Sequence, residues 1–218
     1  LEHPPQGISP WQSPLETRRF VVEAQDLQRH FLPLVLELDL PFRGIFPKAA
    51  AASPPMSNPE GCYLFSAPTR PVMPGWAAIR ATLIDAHTQE PVAHAVLEIQ
   101  IDEQRWYGIA NDQGNVVILF PYPSFSAFQS LSSPLSPVQQ AWTLQIQVRY
   151  DPNALVRVPG SSTPTLRSIF DQAPGRLWQT RLGPSEDLRT DLLIHDEQLI
   201  IKTGGGHDLW LSPTSSPI

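Results

Sequence analysis

Residues 142–150, "WTLQIQVRY", set Trp142, Leu144, Ile146, Val148 and Tyr150 on one side of an extended chain and Thr143, Gln145, Gln147 and Arg149 on the other. A period of two is the signature of a strand with one buried face. The same alternation recurs in "AIRATLID", with Ile79, Ala81 and Leu83 on one face, and in "AVLEIQID", with Leu97, Ile99 and Ile101. "RWYGIAND" and "NVVILFPYP" follow, so residues 77–123 predict four strands in an antiparallel meander or sandwich sheet. The last two are joined by "NDQGN", which predicts a hairpin: Asp112 accepts from the turn backbone and Gly114 takes the positive φ of a bulged turn.

Nearer the N-terminus, Leu34, Leu36, Leu38 and Leu40 alternate with Val35, Glu37 and Asp39, and two strand-like pieces are expected between Phe20 and Phe46. Residues 1–19 are polar and proline-rich and predict an extended arm; "PKAAAASPPMSNPEG", 47–61, predicts a linker or long loop. A short helix is expected in the long connection after Tyr150, with Thr163 as N-cap, Pro164 in its first position and Leu166, Ile169 and Phe170 on one face before Pro174 ends it. The tail, "DLLIHDEQLIIKTGGGHDLWLSP", predicts two strands, 192–202 and 208–212, joined as a hairpin by a glycine turn.

Composition narrows the class. The chain's 25 prolines in 218 residues argue against long helices. Apolar residues make up 41 % and charged ones 17 %, with a net charge of −6. Of 15 cationic residues only Lys48 and Lys202 are lysines, and the arginines are dispersed, so no basic nucleic-acid stripe or polybasic membrane patch is present. No apolar run reaches the roughly 18–20 residues of a membrane span, no export signal is visible, and Cys62 is the single cysteine. A cytoplasmic protein is the expectation.

The candidate chemistry is sparse. His87 and His94 are six residues apart across a turn, with Asp85 and Glu90 the local candidates for a third metal ligand; two exposed histidines flanking a turn are the simpler expectation. His195 and Glu197 would share one face of a strand, again without an evident third ligand. "KTGGGHD" lacks the lysine after the glycines and the following helix of a phosphate loop, because Lys202 precedes them and a strand follows. Cys62 has no neighbouring base, and Asp102 with Glu103 and Glu186 with Asp187 are adjacent carboxylates that point apart on an extended chain. No catalytic, cofactor-binding or metal residue is therefore assigned. Trp76, Trp106 and Trp142 suit a sandwich core, whereas Trp11, Trp178 and Trp210 are candidates for an interface or a sugar-stacking surface.

Residues 79–123 resemble the carboxypeptidase-regulatory-like, transthyretin-related β-sandwich family through Asp85, Thr88, Pro91, Val92, Ala95, Val96, Asn111, Asp112 and Gly114, with Gln89 or Glu90 standing where the turn usually has glycine. That stretch is about a fifth of the chain. The resemblance implies a mainly β fold, an antiparallel Ig-like (transthyretin-like) β-sandwich with an extended N-terminal arm, long loops and one short helix. The expected organisation is an arm and interaction segment over 1–69, the sandwich over 70–150, and a long connection with a short helix and C-terminal hairpin over 151–218. The arm, "LPLVLELDLPFRGIFP", "TLRSIFDQAPGRLW" and "LIIKTGGGHDLWLSP" together look like cap-region proteins of phage-tail-like contractile injection systems. This implies a non-enzymatic structural or adaptor subunit without cofactor, bound through arms and edge strands to other protein subunits, copies of itself among them, with no nucleic acid and no membrane insertion. The alternatives are a soluble carbohydrate- or peptide-binding sandwich module and, more remotely, a metal-dependent enzyme built on His87, His94 or His195.

Overall fold

The computed structural model describes residues 17–41, 64–123, 140–180 and 183–214. Of the expected arm over 1–19, residues 1–16 lie outside them, as do the 47–61 linker, Trp11, Lys48 and Cys62, while 17–19 belong to a strand. The fold is mainly β: β1 (Thr17–Ala24), β2 (Leu34–Pro41), β3 (Trp76–Asp85), β4 (Val96–Ile101), β5 (Gln104–Ile109), β6 (Asn115–Pro121), β7 (Ala141–Arg149), α1 (Leu166–Phe170), β8 (Gly175–Trp178), β9 (Ser185–Glu186), β10 (Arg189–Ile194), β11 (Leu199–Ile200) and β12 (Leu209–Pro213).

Two sheets pack as a sandwich. One is antiparallel, ordered β10-β7-β4-β5. In the other, β3 pairs β6 along one edge and both β11 and β12 along its other edge, and β12 continues through β8 to β9. The alternating positions meet in the middle as expected: Ile79, Ala81 and Leu83 of β3 and Ile118 and Phe120 of β6 pack against Leu97, Ile99 and Ile101 of β4 and Leu144, Ile146 and Val148 of β7. Each such fully buried aliphatic side chain contributes on the order of 1.5–3 kcal/mol from area removed from water. Leu177, Leu193, Ile201, Leu209 and Leu211 join the same core, so strands beyond residue 150 complete both sheets.

The pairing departs from the expected meander. β5 pairs with β4, whereas β6 pairs with β3 in the opposite sheet, so "NDQGN" is an arch between sheets and not a hairpin. Within it the accepting side chain is Asn111, whose Oδ1 takes the amides of Gln113 (3.0 Å) and Asn115 (2.9 Å), and not Asp112; Gly114 has the expected positive φ, +75°. The C-terminal hairpin is also replaced. β10 belongs to the four-stranded sheet, while β11 and β12 both run parallel to β3, end to end along its edge, making that sheet mixed. The chain leaves β10 at a turn in which Asp196 has φ +62°, so residues 192–202 are two short strands in different sheets.

A second apolar cluster covers part of the outer face of the four-stranded sheet. Val96 of β4 and Ile109 of β5 pack under Leu34, Phe65 and Ile169, with Leu166 and Phe170 alongside. The helix supplies Leu166, Ile169 and Phe170 from one face, as its spacing predicts, but it is a single turn capped by Thr165 and not by Thr163. Thr165 Oγ1 accepts the Ser168 amide at 3.3 Å, while Pro164 and Thr165 bridge Arg157 and Val35. That pairing keeps the chain out of the helical region two residues longer than the Thr-Pro signal suggests.

Candidate functional site

β1 and β2 form an antiparallel two-stranded ribbon in register Thr17↔Pro41 to Ala24↔Leu34. Its root is fixed. Leu34 and Val35 are buried, Val35 bridges Thr165, and the loop before β2 pairs with 65–67 through Leu32 N–H to Phe65 O (2.9 Å) and Ala67 N–H to His30 O (2.8 Å). Asp26 organises the connecting loop by accepting the amides of Gln28, His30 and Phe31. These bonds, the Gln28 amide foremost, hold its carboxyl below its usual range.

Beyond the root the ribbon leaves the sandwich. Directly opposed residues share a face, so Phe20, Val22, Leu36 and Leu38 lie together, with Phe20 44 % and Leu38 38 % exposed. On the reverse face Arg19 Nε is 3.3 Å from Asp39 Oδ1, beside Val21, Glu23 and Glu37. The Asp39 carboxylate raises the Arg19 guanidinium, which therefore stays charged at any working pH. The leucine alternation predicts β2; the apolar face it helps to form stands open at Phe20, Val22 and Leu38. A cleft of about 500 Å³ opens at the root, lined by Asp26, Arg29, Phe31, Pro68, Asn111 and Thr163 among others.

The residues singled out for chemistry are scattered. Asp85 is buried and structural: Oδ1 accepts the amides of His87 (2.8 Å) and Thr88 (3.1 Å), and Oδ2 accepts the Tyr150 hydroxyl (2.9 Å). His87 and Glu90 are exposed on the turn, where Gln89 takes the glycine-like φ of +61°. His94 is not the exposed residue expected: its side chain is 13 % accessible, its backbone φ is +59°, and Nε2 is 3.4 Å from Asp112 Oδ1. Asp112, read from sequence as a turn former, is thus its partner across the arch. Burial lowers the His94 pKa from 6.5, opposed by Asp112 and reinforced by Arg157.

A depressed histidine pKa means that the unfolded chain binds the proton first. The associated stability is present above pH 6.5 and is lost as pH falls through the lower folded value. The melting temperature is therefore expected to drop on acidification from about pH 7 to about pH 5, and His94→Gln to flatten that slope. An unchanged slope in the variant contradicts this role.

His195 and Glu197 do not share a strand face, because β10 ends at Ile194. His195 instead packs its ring on Tyr122 at 4.5 Å, with Nδ1 3.2 Å from Asp196 Oδ2. Lys202 precedes a glycine loop in which the amides of Gly204 and Gly206 already bond Gln179 O and Thr203 O, and a strand follows. Among the described residues no group of three or more His, Cys, Asp or Glu is placed to hold a metal ion, and no helix is long and apolar enough to cross a membrane. Three of the tryptophans serve the fold: Trp106 stacks on Phe120 (4.2 Å), Trp142 on Tyr122 (5.3 Å), and Trp210, one of three candidates for an interface or sugar-stacking surface, is buried. No protein-family model, curated protein or solved structure matches the chain.

Proposed function

We propose that the chain is a non-enzymatic structural subunit of a protein assembly, with the sandwich as its rigid body and the β1–β2 ribbon as the arm that engages neighbouring subunits, copies of itself among them. The observation that carries this reading is the ribbon itself. Its root is anchored by Leu34 and Val35, yet Phe20, Val21, Val22 and Leu38 stand exposed, and among the described residues neither long edge is covered by another strand. A two-stranded ribbon is at best marginal in water, and an open apolar edge is a template for pairing with another chain. The resemblance to cap-region proteins supplies a setting, the end of a phage-tail-like contractile particle, where subunits repeat around a symmetric ring.

Carbohydrate binding is the weaker reading. It needs ring faces laid side by side on one exposed surface, whereas of the described candidates Trp210 is buried and Trp178 is half-buried, its Nε1 donating to Ser212 Oγ at 3.4 Å.

The test is the double substitution Phe20→Ser/Leu38→Ser, which removes an opposed pair from the apolar face. The variant is expected to lose assembly, its mass by light scattering falling towards the 24.3 kDa of one chain. Its melting temperature should stay within a few degrees of the parent, since exposed substitutions cost about 0.5 kcal/mol or less. An unchanged mass contradicts the reading.

A further inference from the structure

We infer that the outer edge of β1 pairs with the same edge of a second copy of this chain, antiparallel and centred on Val21. The inference rests on the assembly reading above and specifies its first contact. Among the described residues β1 pairs as a strand with β2 alone, so no described strand takes the alternate N–H and C=O groups along its other edge. A two-fold axis perpendicular to the ribbon, passing just outside that edge level with Val21, lays a second β1 alongside the first.

Charge chooses the register. With Val21 opposite Val21, Arg19 of each copy stands opposite Glu23 of the other, Phe20 stands opposite Val22, and Arg18 stands opposite Ala24. Two attractive pairs form symmetrically, on the face opposite the apolar one. Pairing must slide by two residues to keep the same faces together. Either slide takes Arg19 off Glu23, onto Val21 in one direction and onto Gln25 in the other.

Both groups have capacity left for this contact. Arg19 uses Nε towards Asp39, and a guanidinium carries five N–H donors. Glu23 Oε1 accepts from Gln25 Nε2 at 2.9 Å, and a carboxylate has about four acceptor sites. Both sit on exposed stretches of β1. The product is a four-stranded antiparallel sheet, β2-β1-β1-β2, in which Phe20, Val22, Leu36 and Leu38 of both copies form one continuous apolar face. This exceeds the three strands that a sheet with an apolar face needs to persist, and it sets the two sandwiches at opposite ends of the shared sheet.

The test is a charge exchange read by sedimentation or light scattering. Glu23→Arg leaves two arginines on the edge, at positions 19 and 23, so two attractive pairs become repulsive, and the dimer dissociation constant should rise roughly tenfold or more. Arg19→Glu/Asp39→Arg keeps the cross-strand pair within the ribbon but leaves two glutamates at those edge positions, and it should weaken self-association likewise. Mixed one to one, the two variants should form a heterodimer of near wild-type affinity. If Glu23→Arg retains the wild-type dissociation constant, or if both variants dissociate and their mixture stays monomeric, the pairing is overturned. In either case a wild-type chain that still associates leaves the assembly reading standing; a strictly monomeric wild-type chain overturns both.

Discussion

Replacing Asp85 by alanine is expected to cost about 3–4 kcal/mol of folding stability. Three hydrogen bonds end on this one buried carboxylate, from the His87 and Thr88 amides and from the Tyr150 hydroxyl, and they tie the end of β3 to the end of β7 across the core. The alanine variant frees both turn amides and strands the hydroxyl, and the buried phenol accounts for about 1–3 kcal/mol of the loss. Burial and the Asp85 carboxylate also push the Tyr150 pKa far up, so the hydroxyl remains a donor across the accessible pH range. For a chain of this size the melting temperature should fall by about 6–16 °C. Tyr150→Phe, which removes only the donor, should cost about 1 kcal/mol, and less again in the Asp85→Ala background. Independent, additive losses contradict the shared bond.

Gly114→Ala should be comparably severe, at about 3 kcal/mol or more. A Cβ on Gly114 would lie 2.4 Å from the Leu83 carbonyl oxygen and 3.2 Å from the Val92 amide, and the residue holds φ +75°. Neither neighbour can move freely, because Leu83 O accepts the Val92 amide and the Leu83 amide bonds Gly114 O at 2.8 Å. Gly160 provides the control: its φ is +88° but nothing lies within 4 Å of a Cβ there. Gly160→Ala should therefore show only the backbone cost of about 1–2 kcal/mol. Equal losses at the two positions would contradict the steric argument.

Both residues were visible in the amino-acid pattern, and for a physical reason. Asp85, which caps the His87 and Thr88 amides, and Gly114, which takes a positive φ, each act partly at a turn, where side-chain type and backbone conformation are directly coupled; the contacts with Tyr150, Leu83 and Val92 that make them costly to replace came with the structure. Faces were legible in the same way: Leu144, Ile146 and Val148 had to share one side of a strand whatever they packed against. Partners were not. Alternation is silent on which strand lies alongside, so the placement of β5 and β6 in opposite sheets and the parallel run of β11 and β12 beside β3 came only with the structure. The His94–Asp112 contact was hidden for a related reason, since it joins two turns that meet only once the arch is formed. The ribbon combines both cases. Its strands follow from Leu34, Leu36, Leu38 and Leu40, but the exposure of its apolar face at Phe20 and Leu38 is a fact of the tertiary structure.

The assembly claim is tested most directly by the mass of the purified, unmodified chain in solution, measured by light scattering over a rising concentration series. Species at whole-number multiples of 24.3 kDa are expected, with the dimer appearing first. A strict 24.3 kDa monomer across that series would contradict it.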